Sequence, residues 1–336
     1  MDPISQGIVG AAFAQSKAKK NNIIKIGIIG FLAGLAPDLD VLIRSSTDPI
    51  LSLEYHRQFT HSIFFIPFGA LIIALVIFPL VKKSLSLMTV YMACFLGFAT
   101  HGLLDACTSY GTLLFWPFSN DRVTWNNISV VDPLFTIPIS VLVVTAIITR
   151  KRLFSFFAIG WMTFYLLLGF VQYERALSGA TELAHSRGHN PERPTLKPSF
   201  GNLILWKSIY QYEERFYVDA IRTAQSSTWC LGESIPVFDY QYHLPNLEKE
   251  SQQRKDIERF RWFSQDYLGF DDKKNLVTDV RYSMIPNQIA PMWGLVIDVH
   301  RGMDEHAIWW TSRALEQGRL SLFKDMLSGK KCRGSF

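Results

Sequence analysis

The sequence lacks any cysteine pair at C-x-x-C spacing; Cys94, Cys107, Cys230 and Cys332 are scattered along the chain. That excludes zinc fingers and dithiol redox motifs. It also lacks a Lys/Arg-rich stripe with interleaved aromatics. A formal charge of +5 is too small to imply a nucleic-acid partner, and none is expected. No cleavable signal peptide is expected either. The apolar stretch at 4–14 is short, and its basic residues, Lys17, Lys19 and Lys20, follow rather than precede it. Internal repeats and low-complexity tracts are absent. Acidic residues are scarce in the first half and concentrate after residue 172.

Long apolar runs fill the first half. Crossing a bilayer takes about 20 mostly apolar residues, and five candidate spans are read at about 23–43, 63–81, 86–105, 130–149 and 153–172. The second and fifth carry no charge. A soluble core rarely needs so many such segments in so short a stretch. The fold class expected is a membrane all-α bundle followed by a small soluble α+β or mostly β domain. The expected divisions are 1–175 for the helical domain, 176–198 for a polar, Pro-rich linker and 199–336 for the soluble domain. Within the last, NLILWKSI, ERFYVDAIR, NLVTDVRYSMI and PMWGLVIDV read as strands and 246–267 as helical.

Topology follows from the basic residues of the short loops. Lys17, Lys19, Lys20 and Lys25, then Lys82 and Lys83, then Arg150, Lys151 and Arg152 all fall on one side if every segment crosses. That side is expected to be cytoplasmic. The C-terminal domain then lies in the periplasm or outside the cell, an oxidising place where Cys230 and Cys332 could pair.

The ionisable residues left near the spans gather at the opposite face. Asp38 and Asp40 end the first span, His56 and His61 precede the second, His101 and Asp105 end the third, and Asp132 opens the fourth. Such residues are costly in a membrane and functional by default. His101 and Asp105 are four apart, hence on one helix face. Pro37 should weaken the helix before Asp38. His56 and His61 are five apart, which places His56 in a loop and His61 in the first turn of span two. Bundles build metal sites from such inward-facing groups. The expected ligands are Asp38, Asp40, His56, His61, His101 and Asp105, with Asp132 as an added member. Imidazole with carboxylate suits zinc, manganese or iron. Arg57 is the candidate for binding an anionic substrate, or else an ion-pair partner of Asp38 or Glu54. Thr60 and Ser62 either support the ligands or cap the following helix. Interhelical hydrogen bonding alone is the plainer alternative for the whole cluster. Asp298, His300, Asp304 and His306, and the pair His185 and His189, lie in polar surroundings and are not expected to hold metal.

Several motifs together carry a resemblance: MDPISQGIVGAA, PDLDVL, HRQFTHS, THGLLDACTSYGT, FWPFSNDRV and NNISVVDPLF. In this order the chain resembles an inner-membrane-associated, LexA-regulated family of metal-dependent hydrolases. Many relatives carry Thr-His where this chain has Ser5 and Gln6, so a ligand at position six is missing here. The family is similar, more distantly, to zinc-dependent phospholipase C and single-strand nucleases. The resemblance implies a divalent metal, zinc first, and a phosphoester substrate. A site at the membrane face adds the bilayer as partner and a lipid or lipid-linked substrate. The mechanism expected is attack by metal-activated water, with Arg57 and Asp132 as the catalytic candidates. The rival functions are a metal or proton transporter, which would need a second polar set on the cytoplasmic half, and a non-catalytic scaffold whose outer domain binds a protein.

Overall fold

A computed structural model describes residues 1–312, 318–330 and 332. The chain divides into two compact units. The first comprises Met1–Ile43, Tyr55–Phe170 and Phe200–Asn202; the second comprises Arg44–Glu54, Val171–Ser199 and the chain from Leu203 onward.

The first unit is a helical bundle. Helix α1 (Pro3–Ser16) starts from an Asp2 N-cap that accepts from the Ser5 amide, with proline at the first position. It had been expected only as a short apolar stretch, yet it packs closely on α2 (Ile23–Leu35) and α5 (Leu87–Ala106). The reason is missing side chains. A Cβ on Gly97 would stand 2.4 Å from the Gly30 carbonyl oxygen, and one on Gly10 would stand 2.5 Å from the same atom. Small residues thus let three helix backbones meet, the usual solution where lipid removes a hydrophobic driving force.

Helix α2 stops at Leu35, and Ala36–Leu42 continues as a 3-10 segment with Pro37 near its start. Proline has no N–H for the α-helical ladder, so the tightened turns that follow present Asp38 and Asp40. Helix α3 (Leu51–Tyr55) belongs to the second unit for all but its last residue. A 3-10 turn, Phe59–His61, precedes α4 (Ile66–Val81). His61 therefore sits in its own turn, five residues ahead of α4, and not in that helix's first turn. Helix α5 begins at a Ser86 cap. Helix α6 (Pro133–Thr149) runs from an Asp132 cap to Arg150 in the left-handed region. Helix α7 (Leu153–Ser186) is 34 residues long.

Five continuous spans are not what the bundle contains. Lys20–Leu42, Leu87–Ala106 and Leu153–Ser186 are long and apolar enough to cross a membrane. A fourth exists only if Leu51–His61 and Ile66–Val81 are joined across an 88° bend. Helix α6 has 17 residues, about 26 Å at 1.5 Å per residue, short of a roughly 30 Å hydrocarbon core. Its two caps fix that length. Outward-facing Phe68, Leu80, Val141 and Ile148 are exposed, as suits helices facing lipid tails.

The second unit holds two antiparallel four-stranded meanders among the described residues. The first runs β1 (Glu192–Pro198), β2 (Leu205–Tyr212), β3 (Arg215–Thr223) and β4 (Ser227–Pro236). After α8 (Tyr240–His243) and α9 (Gln252–Phe263) comes the second: β5 (Leu268–Asp271), β6 (Leu276–Asp279), β7 (Trp293–Val296) and β8 (Ile308–Thr311). Helix α10 (Arg319–Ser328) follows. The stretch 176–198, read as a linker, is folded: α7 continues to Ser186 and β1 pairs with β2. Pro194 and Pro198 are tolerated because β1 is an edge strand with a register shift. Large aromatics, Trp206, Trp229, Tyr210, Phe216, Phe260 and Phe263, fill the interior. A disulfide joins Cys230 to Cys332, tying the segment after α10 to β4, while Cys94 and Cys107 are buried free thiols.

Candidate metal centre

The end of α5, the 3-10 segment after α2 and the turn before α4 converge on one buried point. His101 and Asp105 share a face of α5 and are fully buried. The turn carrying His61 lies directly on α5 at Gly102, where a Cβ would stand 2.1 Å from the His61 carbonyl oxygen. Any side chain there would lift His61 off the helix.

Hydrogen bonds fix the state of both imidazoles. His101 Nδ1 lies 2.5 Å from the Gly34 carbonyl oxygen. A carbonyl can only accept, so Nδ1 carries the proton and Nε2 presents a lone pair. Thr60 Oγ1 donates to Asp40 Oδ2 at 2.9 Å and so accepts from His61 Nδ1 at 2.9 Å. In the neutral ring His61 Nε2 is then also a lone-pair atom. The two Nε2 atoms face each other at 3.0 Å. Asp38 Oδ1 lies 3.4 Å and 3.3 Å from them. Asp105 Oδ2 lies 3.2 Å and 3.6 Å from them.

Two imidazole nitrogens and two carboxylate oxygens therefore converge on a common centre. Zinc bonds of about 2.0–2.1 Å in a tetrahedron require ligand atoms about 3.3–3.4 Å apart. The observed separations of 3.0–3.6 Å bracket that value. Asp105 Oδ2 is buried without a hydrogen-bond partner, which is costly unless a cation satisfies it. The residues present fit a divalent metal.

The supporting shell is equally specific. Asp40, buried beneath the quartet, accepts from His56 Nδ1 at 2.8 Å, from the Arg57 amide at 2.9 Å and from Thr60. His56 Nε2 remains as a donor atom, and Asp38, Asp40 and His56 form a second group of metal-ligand type that shares Asp38 with the first. Gln6 Nε2 donates to Asp105 Oδ1 at 2.9 Å, and the Met1 amine also contacts that oxygen. The Gln6 amide thus aims the Asp105 carboxylate. The Gln6 carbonyl oxygen is buried without a hydrogen-bond partner.

Arg57 sits at φ +64°, a strained choice for a non-glycine residue, and is buried. Its Nε lies 3.0 Å from Asp105 Oδ2 but outside hydrogen-bond alignment. One terminal nitrogen donates to Thr108 at 3.0 Å, and the guanidinium lies over Tyr110 at 4.7 Å. Its ionic partner is thus Asp105, neither Asp38 nor Glu54. Ser62 hydrogen-bonds the Trp116 carbonyl and accepts from the Phe64 amide, so it shapes the turn. Thr60 does the supporting work between Asp40 and His61.

Asp132 belongs to neither group. Its carboxylate caps α6 through the Leu134 and Phe135 amides and accepts from Tyr165 at 2.8 Å. In the second unit, His306 and Asp256 meet Asp48 in a further group. Arg259 already occupies it, bonding Asp48, Glu54 and Asp256; a cation is in place. Asp298, His300 and Asp304 join no such group among the described residues, and His189 stacks on Tyr212. Sequence reasoning missed Gln6 as a support, Tyr110, and the Gly34 carbonyl that orients His101. Only the position-six comparison with relatives signalled the first.

A helical membrane bundle with a buried histidine–carboxylate centre defines the class. Within it, the chain belongs to the YdjM inner membrane protein family, whose model matches residues 1–176. The match covers the bundle and every residue of the centre. No curated protein and no solved structure matches the chain.

Proposed function

We propose that the chain is a membrane-embedded, metal-dependent hydrolase that cleaves a phosphoester at the outer membrane face. The observation that carries this reading is the quartet Asp38, His61, His101 and Asp105, in which the two imidazole Nε2 atoms lie 3.0 Å apart and 3.2–3.6 Å from the two carboxylates. Asp38 and Asp105 offer negative charge and the histidines neutral nitrogen, a donor set suited to zinc, with manganese and iron next. Bound there, a divalent ion would supply a water acidified toward neutral pH and polarise the substrate oxygen. Sharing of Asp38 by the second group with Asp40 and His56 supports a second ion beside the first.

The protein's own residues do the rest. Gln6 and Thr60 hold Asp105 and His61 in register, so the ligands are oriented before substrate arrives. Arg57, fixed by Thr108 and Tyr110, places a permanent cation beside the centre, where it would stabilise charge developing on a phosphoryl oxygen. Asp132 serves α6 in this reading and takes no chemical part. Leu39, Val41 and Leu42 alternate with the ligands Asp38 and Asp40 and are exposed. Apolar residues at the lip of a charged centre suit a lipid or lipid-linked substrate.

The basic clusters at Lys17–Lys25, Lys82–Lys83 and 150–152 support the outer face for the centre. The Cys230–Cys332 disulfide supports the same compartment for the C-terminal domain.

Elemental analysis of detergent-purified protein beside a His61→Ala, His101→Ala double variant tests the reading. Stoichiometric metal in the parent, its loss in the variant, and phosphodiester hydrolysis lowered at least 100-fold are expected. A parent protein that takes up no metal on reconstitution sinks it and leaves the scaffold function in its place.

A further inference from the structure

The second unit buries two lysines that the metal chemistry does not use. Lys197 on β1 and Lys207 on β2 are direct cross-strand partners. Both are buried, and neither has a carboxylate within ion-pair distance among the described residues. Asp279, which attracts both ammonium groups, is already paired with Arg281 at 2.7 Å. Lys197 Nζ donates to the Arg281 carbonyl and lies over the Tyr282 ring at 3.1 Å. Lys207 Nζ lies 2.8 Å from Ser283 Oγ and 2.8 Å from the Gln288 carbonyl oxygen.

An unpaired buried ammonium is expensive, and like charges directly opposite across a ladder add to the cost. A structural role alone would be met more cheaply by an apolar residue. The local geometry also has the parts of an activated nucleophile. A hydroxyl lies within hydrogen-bond reach of an amine, and a third group orients that amine. Burial pushes the Lys207 ammonium down to about 7, against the pull of Glu233, Asp279 and Asp219. Burial also holds Lys197 well below its ordinary value, helped by Arg281 and Lys207. About half of the Lys207 amines therefore carry a free lone pair at neutral pH, where an ordinary lysine has almost none.

We propose that Ser283 and Lys207 form a serine–lysine dyad for acyl transfer, a second catalytic site in the C-terminal domain, acting on carboxylic esters. In the resting arrangement Ser283 Oγ donates to the Ile285 carbonyl at 2.7 Å. Rotation of that hydrogen toward neutral Lys207 sets up the reaction. Ser283 Oγ attacks the ester carbon as its proton passes to Lys207 Nζ. The tetrahedral adduct collapses with cleavage of the carbon–alkoxide bond, and the Lys207 ammonium returns its proton to the departing alcohol. Water then repeats the cycle on the acyl-serine, releasing the acid and regenerating the hydroxyl. Ser283 is half-buried and bridged to Pro291. Ile289, Ala290 and Pro291 form one wall of a cavity of about 650 Å³ whose other walls include Phe270, Trp310 and Glu233. Ser283 does not itself line that cavity, whose walls also carry Asp271, Asp272, Lys273 and Lys274; the cavity adjoins the serine through the bridged Pro291.

The test uses the full chain in detergent and a biotinylated fluorophosphonate, which traps activated serines, with the adduct mapped by mass spectrometry. Labelling at Ser283 is expected to rise about tenfold from pH 6 to 8 with a midpoint near 7. It should vanish in Ser283→Ala, fall at least tenfold in Lys207→Met, and be unchanged by a metal chelator. Absence of a Ser283 adduct at every pH in the folded parent protein overturns the dyad. So does a pH-independent labelling rate, a readout that needs no variant to fold.

Discussion

The two units solve the burial of charge in opposite ways. In the bundle the buried centre is rich in acceptors: two carboxylates and two imidazole lone pairs face one point with too few donors. In the C-terminal domain the buried surplus is of donors, Lys197 and Lys207, facing carbonyls and a hydroxyl. The scaffolds differ to match. Helices α1, α2 and α5 meet backbone to backbone through glycines, whereas the meanders close over Trp206, Trp229 and Phe260. A centre whose clustered acceptors outnumber its cations has room for a metal ion from outside, while one holding excess amine sheds a proton and becomes a base.

The comparison breaks most visibly at the glycines. Gly97→Leu is expected to prevent assembly of the bundle, because the new side chain would overlap the Gly30 carbonyl with no room to relax. The loss of monodisperse protein in detergent measures it, and Phe216→Leu in the other unit should leave monodispersity intact. Next in size, Cys332→Ser should cost the C-terminal domain about 2–5 kcal/mol. Thermal unfolding followed by tryptophan fluorescence reads this out, and metal content should not change.

Asp105→Asn comes third. It removes one charge from the quartet and weakens metal binding by a factor of about 100 or more in competition with a chelating dye. Gln6→Ala, which only releases the carboxylate, should cost about tenfold. Equal losses in the two variants would contradict the separation of ligand from support.

The surplus amine sharpens the contrast through pH. Lys207 binds its proton less tightly in the folded domain, at about 7, than in the unfolded chain, at about 10.4. Between those values the unfolded state holds more protons, so stability rises with pH, by up to about 1.4 kcal/mol per pH unit. It is lowest and flat below about pH 7. Lys207→Met should reduce that slope in urea titrations between pH 7 and 9, leaving the share that Lys197 contributes. Smallest is Ser251→Ala at the cap of α9, about 1 kcal/mol.

Much of the centre was legible in the sequence because charge is rare in apolar runs, so Asp38, His61, His101 and Asp105 announced themselves as one cluster. Pro37 likewise foretold the break that frees Asp38 and Asp40. Asp132 stood out for the same reason, but a cap at a helix start looks identical to a ligand until its partners are seen. Helix α1 was hidden by its small residues, whose packing value lies in what they lack. Strand β1 was hidden by prolines and charges that an edge strand tolerates. The bend before α4 and the short α6 depend on caps and tertiary packing that hydropathy does not record. Arg57 was visible as a basic residue at the centre, but its pairing with Asp105 crosses 48 residues and three elements.

Asp40 has one more consequence. One oxygen holds His56, the other holds the Arg57 amide and Thr60, so this carboxylate staples together the two ends of the excursion 41–55. Because the staple fixes where the chain leaves and re-enters, the excursion can grow or shrink at an entropic cost that rises only with the logarithm of its length. The stretch between Arg44 and Glu54 is therefore where a longer insertion should be accommodated without disturbing Asp38 and Asp40 before it or His56 and His61 after it.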